Sequence, residues 1–358
     1  MSTRRQVRQF LDLPRTIYPP DGPWVAPPDV LTRLLMGNVQ APDRRFWLAL
    51  DRGRPVARLG AQIPQHGSCR ALHFGFFECL PGCAEAASKL FERAGSFAPE
   101  LEIRGPFHFR LEDPYPGLLV QGFEEQPIFL MPYHPPYYEE LLRASGFEPV
   151  MDLYSYLFLP AEVKLDRLAG RAGRAAEQGI SVTMLDRWRR GEQARACLRI
   201  ANQAWAGNWG FEPIEEDQVQ LVTWFARLLV DRKGILLARH QGREVGFLWV
   251  LPDFNRFLKP ARGRITWRLV WDLLFRRGKL DVFRGHALGV LPEYRDRDVT
   301  AALVNSIMGE GSRTPWRALE VSWVLADNSR MNAMARALGG RRNKIHRLFR
   351  RPARGVGR

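Results

Sequence analysis

The chain has 358 residues, 46% hydrophobic and 25% charged, with a formal net charge of +15. That length allows two domains of ordinary size, each with its own core, and the composition is that of a soluble globular protein. No apolar run approaches the roughly 20 residues that span a bilayer, and the N-terminal Met-Ser-Thr-Arg-Arg-Gln-Val-Arg lacks the apolar core of a signal peptide, so the expected location is the cytoplasm.

The basic balance, dominated by arginine, points to an anionic partner: coenzyme A phosphates, an acidic carrier protein, anionic lipid headgroups or nucleic acid. Four cysteines do not make a disulfide framework. His66, Cys69, His73, Cys79 and Cys83 fall within 18 residues but are spread along strand-like sequence. A zinc site needs its ligands paired on a turn, so no metal is expected and the thiols read as buried.

Residues 1–45 read as a proline-rich arm whose segment Tyr18–Pro28 is extended and packs through Trp24 and Val25. Phe46–Ala61 predicts two strands around an Asp51–Gly53 turn. Strands at 73–79 and 102–105 enclose a helix at 84–94, set by Ala87, Leu90 and Phe91. A helix at 136–147, stopped by Gly146, leads to a strand at 150–159. An arginine-rich helix at 165–176, helices at 191–205 and 218–230, and a hairpin at 235–251 follow.

Phe283–Val290 then predicts a buried strand that runs through a short basic turn into a helix at 299–308. A strand ending in Arg295 and Arg297 at a helix start makes an anion site, because free N–H groups and the helix dipole point at whatever sits there. A strand at 318–324, a helix at 329–338 and a strand at 345–350 close the chain. The order of elements occurs twice, predicting one domain over 1–160 and a second over 161–358. No basic turn follows Phe76-Phe-Glu-Cys79, so the donor site is expected only in the second half.

The turn resembles the acyl-CoA pyrophosphate loop of the GCN5-related N-acyltransferases, Val-x-Pro-x-x-Arg/Gln-x-x-Gly-x-Gly/Ala. Val290, Pro292 and Arg295 match it, and Asp298 and Thr300 stand at its two small positions. Phe74–Glu78, Met131–Tyr138, Asn202–Trp205, Asn208–Phe211 and Glu320–Trp323 resemble a bacterial tandem family that includes the ceramide synthases. The resemblance implies two tandem α/β (α+β) acyltransferase domains, mixed central sheets flanked by helices. It also implies transfer of a long-chain acyl group from acyl-CoA, or from an acyl carrier protein, to the amine of a sphingoid base.

In such a fold the fourth strand polarises the thioester carbonyl, here near Leu288, Val290 and Leu291, and the loop Arg295, Arg297, Asp298, Val299 and Thr300 takes the phosphates. Asn328 either joins them or caps the following helix. The family's thiol-protonating Tyr has no counterpart in 328–336. Glu320 with Ser322 as a polar relay, or His286, is left to take the amine's proton, although Glu320 could equally pair with an arginine and His286 could be a core residue.

Asn202, Trp205, Asn208 and Trp209, with Trp323, read as an acceptor wall or as an aromatic corner of the core. Tyr133 and Tyr137 read as cleft-lining or packing residues. Arg264–Lys279 places Trp267, Trp271, Leu274 and Phe275 on one helical face, flanked by Arg264, Arg268, Arg276 and Arg277. That pattern suits peripheral contact with the inner membrane, or packing on the protein's own core. A tRNA-dependent transferase and a non-catalytic lipid-binding protein are the other readings; without an interleaved basic and aromatic stripe, nucleic acid is not expected as a partner.

Overall fold

Two prolines of the N-terminal arm, Pro14 and Pro28, stand at helix starts, where a missing N–H costs nothing. A computed structural model describes residues 3–64, 71–186, 188–214, 234–313 and 316–353. Helix α1 (Arg4–Asp12) opens on a Thr3–Gln6 capping box, α2 (Pro14–Ile17) begins at Pro14, and α3 (Asp29–Met36) follows Pro28. The arm is thus three short helices, with the Tyr18–Pro28 segment running without helix between the second and third and packing through Val25 and through Trp24 stacked on Tyr18.

The expected hairpin is β1 (Arg44–Asp51) and β2 (Arg54–Gln62). Next come β3 (Ala71–Cys79), α4 (Ala84–Phe97), β4 (Glu102–Gly105), β5 (Leu118–Gln121), α5 (Tyr138–Ala144) and β6 (Glu148–Phe158). The chain continues through α6 (Asp166–Glu177), β7 (Ile180–Met184), α7 (Arg190–Ala204), β8 (Ile235–His240) and β9 (Arg243–Pro252). It ends with α8 (Asn255–Ala261), α9 (Trp267–Phe275), β10 (Val282–Val290), α10 (Val299–Arg313), β11 (Ala318–Leu325), α11 (Ser329–Ala337) and β12 (Arg341–Arg351). The helix expected over 218–230, and His66 and Cys69, lie outside the described residues.

Two compact units result: Met1–Tyr154 with Asn255–Asp272 and Lys344–Arg358, and Ser155–Phe254 with Leu273–Asn343. In the first, β1, β2 and β3 are antiparallel, β4 runs parallel to β3, and β12 pairs with β4 and β5. Leu72, Phe74 and Phe77 pack on Leu90 and Phe91 of α4, while Phe46 and Phe76 meet Phe10 of α1. In the second unit, β7 to β10 are antiparallel and β11 runs parallel to β10. Its core joins Leu237, Phe247 and Val290 to Ile200 of α7 and to Val299 and Leu303 of α10.

Hairpin, strand, helix and parallel strand therefore recur, and so does a detail of the ladder. The β3–β4 pairing is confined to Ala71–His73, and the β10–β11 pairing to Val282–Gly285. Both long strands carry a bulge beyond that point, at Phe76 (φ 54°) and at His286. Leu80 N–H donates to Val56 O at 2.9 Å and Leu291 N–H to Val245 O at 2.9 Å. Backbone groups alternate sides along a strand, so the Cys79 and Val290 peptide groups correspond, and each faces the gap where the parallel partner has departed.

In the first unit that gap is filled. Cys79 N–H donates to the Tyr138 hydroxyl at 2.9 Å, and the Tyr137 hydroxyl donates to Cys79 O at 2.7 Å. Tyr138 and Tyr18 both donate to Glu78, at 2.7 and 2.9 Å, and Arg58 lies 3.5 Å from the other carboxylate oxygen. Burial pushes the Glu78 carboxyl up against the opposing pull of Arg58. Replacing Tyr138 with Phe strands a buried N–H and removes a donor from a buried carboxylate. The expected loss is about 2–4 kcal/mol of unfolding free energy, read from urea denaturation; an unchanged midpoint would mean that water replaces the hydroxyl.

Candidate functional site

In the second unit no described side chain takes the place of those tyrosines at the corresponding gap. β10 leaves β11 after Gly285 but stays on β9 to Val290, so Leu288 and Val290 turn their peptide groups away from β9. The Trp205 indole N–H donates to Leu288 O at 3.0 Å. Among the described residues no side chain hydrogen-bonds the Val290 peptide. A backbone N–H fixed by a sheet and aimed into a gap is the kind of donor that polarises a carbonyl oxygen.

His286 is the extra residue of the bulge and meets Trp249 edge-on, ring centroids 5.0 Å apart. Its Nδ1 and the Trp249 Nε1 are buried without hydrogen-bond partners; native structures rarely leave such groups unused. Burial, then the charge of Arg284, holds His286 well below the ordinary imidazole value, so the ring is neutral at physiological pH.

Arg284 is 2% exposed and stands opposite Glu320 in the parallel register. Its Nε donates to Ser322 Oγ at 3.1 Å and its Nη2 to Ser322 O at 3.1 Å, while Asn343 Nδ2 donates to Glu320 Oε2 at 3.0 Å. Glu320 and Ser322 are thus tied into a buried network around an arginine. Trp323, joined to Ser322 by a cis peptide bond, is half-buried on β11.

The basic turn leaves β10 through Leu291 and a 3₁₀ turn at Pro292–Tyr294. Arg297 lies over the Tyr294 ring, whose hydroxyl is 3.0 Å from His240 Nδ1, and Arg295 donates to Ala204 O at 2.7 Å. Asp298 has φ 56°, the left-handed conformation that the small residue of the loop pattern supplies and that Asp tolerates. Its carboxylate, 11% exposed, turns onto α6 and accepts from Arg171 at 2.6 Å and Arg174 at 3.1 Å. Ala302 N–H donates to Asp298 O as the first bond of α10. The N–H groups of Val299, Thr300 and Ala301 precede it and have no carbonyl within the helix. Asn328 Oδ1 accepts Met331 N–H at 3.1 Å, capping α11.

Other residues singled out in the sequence are held by their own surroundings. The Asn202 side chain donates to Ile214 O at 3.0 Å and accepts Ile214 N–H at 2.9 Å, closing the loop after α7. Trp205 packs on Phe211 and Phe247. Asn208 bonds through its backbone to Trp205 and Phe211, and Trp209 is half-buried. Tyr133 lies in the first unit, edge-on to Tyr18, and Tyr137 is spent on Cys79. Sequence reasoning passed over Arg284 and Trp249. A lone charge inside an apolar strand marks Arg284, but nothing in Phe-Leu-Trp-Val-Leu distinguishes Trp249.

His73, His108 and His134 are likewise lowered by burial, to about 4, 3 and 3. The unfolded chain binds protons at these rings below about pH 6.5 and the folded chain does not, so stability falls as pH falls, by about 1.4 kcal/mol per unit per ring. Urea unfolding at pH 7 and pH 5 should show this loss, and His286→Gln should reduce it by one ring's share; an unchanged slope would place His286 in solvent.

No family model matches the chain. It is 24% identical to Protein YghO of Escherichia coli (strain K12) over 97% of this chain and 93% of that protein. It is also 24% identical to the bacterial ceramide synthase of Caulobacter vibrioides, over 98% and 95% respectively. Among solved structures, a tandem GNAT protein from the clavulanic acid biosynthesis pathway covers all of this chain and 97% of its own, with a TM-score of 0.55 at 15% identity. The doubled hairpin–strand–helix–strand wiring, the bulged strand that parts from its parallel neighbour and these likenesses together identify a tandem protein of the GCN5-related N-acetyltransferase fold, related over nearly its whole length to a bacterial ceramide synthase.

Proposed function

We propose that the chain is an N-acyltransferase that moves a long-chain fatty acyl group from a thioester to the amine of a sphingoid-type lipid. The observation that carries the reading is the open Val290 peptide in the second unit, set against the tyrosine-filled Cys79 peptide in the first. One donor slot per chain follows, in the domain expected over 161–358. The thioester carbonyl lies against Val290 N–H, with Leu288 and Leu291 shaping the slot. The phosphates meet Arg295, Arg297 and the open N–H groups of Val299 and Thr300. Asp298, already paired with Arg171 and Arg174, does not repel them. Acyl-CoA and acyl carrier protein offer the same thioester arm. Asn328 caps α11 and borders this loop through its neighbour Arg330, which reaches Asp296 at 3.4 Å.

The amine nitrogen attacks the thioester carbon, the C–S bond breaks, and the amine's proton must leave. His286 is the acceptor this geometry favours over Glu320, because its Nδ1 is unpartnered and its ring neutral, while Glu320 already accepts from Asn343 and stands opposite buried Arg284. The proton it takes is then available to the departing thiolate, which leaves as thiol. Ser322 holds Arg284, Trp249 orients the His286 ring, and Trp205, Asn202, Asn208 and Trp209 form the loop that flanks Leu288. Such an acceptor resides in a bilayer, so the reading brings a peripheral contact with the cytoplasmic face of a membrane.

Thiol release from long-chain acyl-CoA, with and without sphinganine, tests the function. Release that depends on the base is expected; none with any acyl-CoA or acyl carrier thioester overturns it. His286→Ala should lower kcat about a hundredfold with little change in KM for the thioester. Glu320→Gln should instead cost about 3–5 kcal/mol of stability by leaving Arg284 uncompensated. The reverse pattern would assign the proton to Glu320. Arg295→Ala and Arg297→Ala should each raise KM for acyl-CoA roughly tenfold at constant kcat; unchanged values would move the phosphates elsewhere.

A further inference from the structure

Helix α9 carries its apolar stripe on the outside. Thr266 Oγ1 accepts Leu269 N–H at 3.2 Å and opens it, and Leu269 and Asp272 form its buried side. Trp267, Val270, Trp271, Leu274 and Phe275 recur at three- and four-residue spacing on the opposite side. Trp267 is 83% exposed, Phe275 66%, Leu274 61% and Trp271 55%. Preceding Ile265 is exposed too. A helix that only covered its own core would turn this stripe inward. A contiguous outward patch of large apolar side chains on a soluble protein marks an interaction surface.

Cationic groups border the stripe. Arg264 and Arg268 are exposed at its start, and Arg276, Arg277 and Lys279 follow its end, on a chain of net charge +15. Arg268 reaches only as far as Asp272, at 4.0 Å. Two tryptophans and three other apolar groups projecting from one helix, with arginines at either end, match what an anionic bilayer surface accepts. The rings enter the headgroup–acyl boundary while the guanidinium groups stay with the phosphates. No helix among the described residues is long and apolar enough to cross a membrane, which fits contact at the surface.

We propose that the outward face of α9 docks this protein on a membrane leaflet that contains anionic lipid. The lipid identity of the acceptor rests on the functional reading above; the docking itself does not, and it is measured without turnover. The experiment is co-sedimentation of the full chain with vesicles of phosphatidylcholine alone and of phosphatidylcholine with 30% phosphatidylglycerol (a composition of roughly physiological anionic content). Partitioning should require the anionic lipid and weaken as salt is raised.

Trp267→Glu with Trp271→Glu should lower the partition coefficient by about tenfold or more, without loss of the folded circular dichroism signal. Arg264→Glu with Arg268→Glu should lower it for anionic vesicles only. In the unaltered protein, vesicles of brominated lipid should quench tryptophan fluorescence. Absence of binding to anionic vesicles, or equal binding by the tryptophan double variant, overturns the proposal, as does capture only by an acidic carrier protein. Vesicle binding without acyl transfer to any long-chain amine overturns the functional reading and leaves the docking surface in place; transfer without vesicle binding does the reverse.

Discussion

A peptide group that faces a gap in a sheet must be satisfied by something, and this constraint organises both halves of the protein. β3 and β10 each part from their parallel neighbour after a few residues, and each bulges just beyond that point. The parting turns one edge of the strand toward empty space. In the first unit Tyr137 and Tyr138 fill that space and bind both sides of the Cys79 peptide. In the second, Trp205 covers Leu288 O and leaves the Val290 peptide open. The same backbone device is a structural joint in one unit and a candidate reaction site in the other.

The chemistry around each gap follows from which charges are buried there. Glu78 is held by two tyrosine hydroxyls and lies 3.5 Å from Arg58, so its carboxylate is spent on its own neighbours. Around β10 the buried charge is Arg284, braced by Ser322 and opposite Glu320, and its field helps to keep His286 neutral. An orphaned imidazole nitrogen beside an orphaned indole N–H is unusual inside a folded protein and costs stability unless a ligand or water completes it.

The basic turn shows how one substitution can be absorbed by tertiary structure. A carboxylate at a phosphate-binding loop looks unfavourable in a linear pattern, and at about 5 Å from a pyrophosphate it would cost roughly 3 kcal/mol. Asp298 keeps the left-handed backbone that the position requires, while Arg171 and Arg174, more than 120 residues earlier in the chain, neutralise its side chain. The loop's own Arg295 and Arg297 are outnumbered by Glu293, Asp296 and Asp298, and it is the arginines paired with those carboxylates, Arg171, Arg174, Arg243 and Arg330, that make the region cationic.

Most of the strands and helices in their order, the doubling of the fold, the position of the basic turn and the amphipathic character of 264–279 were legible in the sequence, while the short β5, β7 and α8 were not. Periodicity, turn residues and charge spacing are local properties of the chain, which is why they could be read. The N-terminal helices were not, because helices this short, two of them begun at prolines, carry the same composition as an extended arm. Nor could the sequence decide which way the α9 stripe points, that Asn202 closes a loop, or that Glu320 faces Arg284. Those depend on contacts between residues far apart in the chain, made only when strands settle into register and helices into their packed orientation. The open Val290 peptide belongs to this second kind: every residue needed to make the gap is visible in the sequence, but whether a tyrosine fills it is decided by tertiary structure alone.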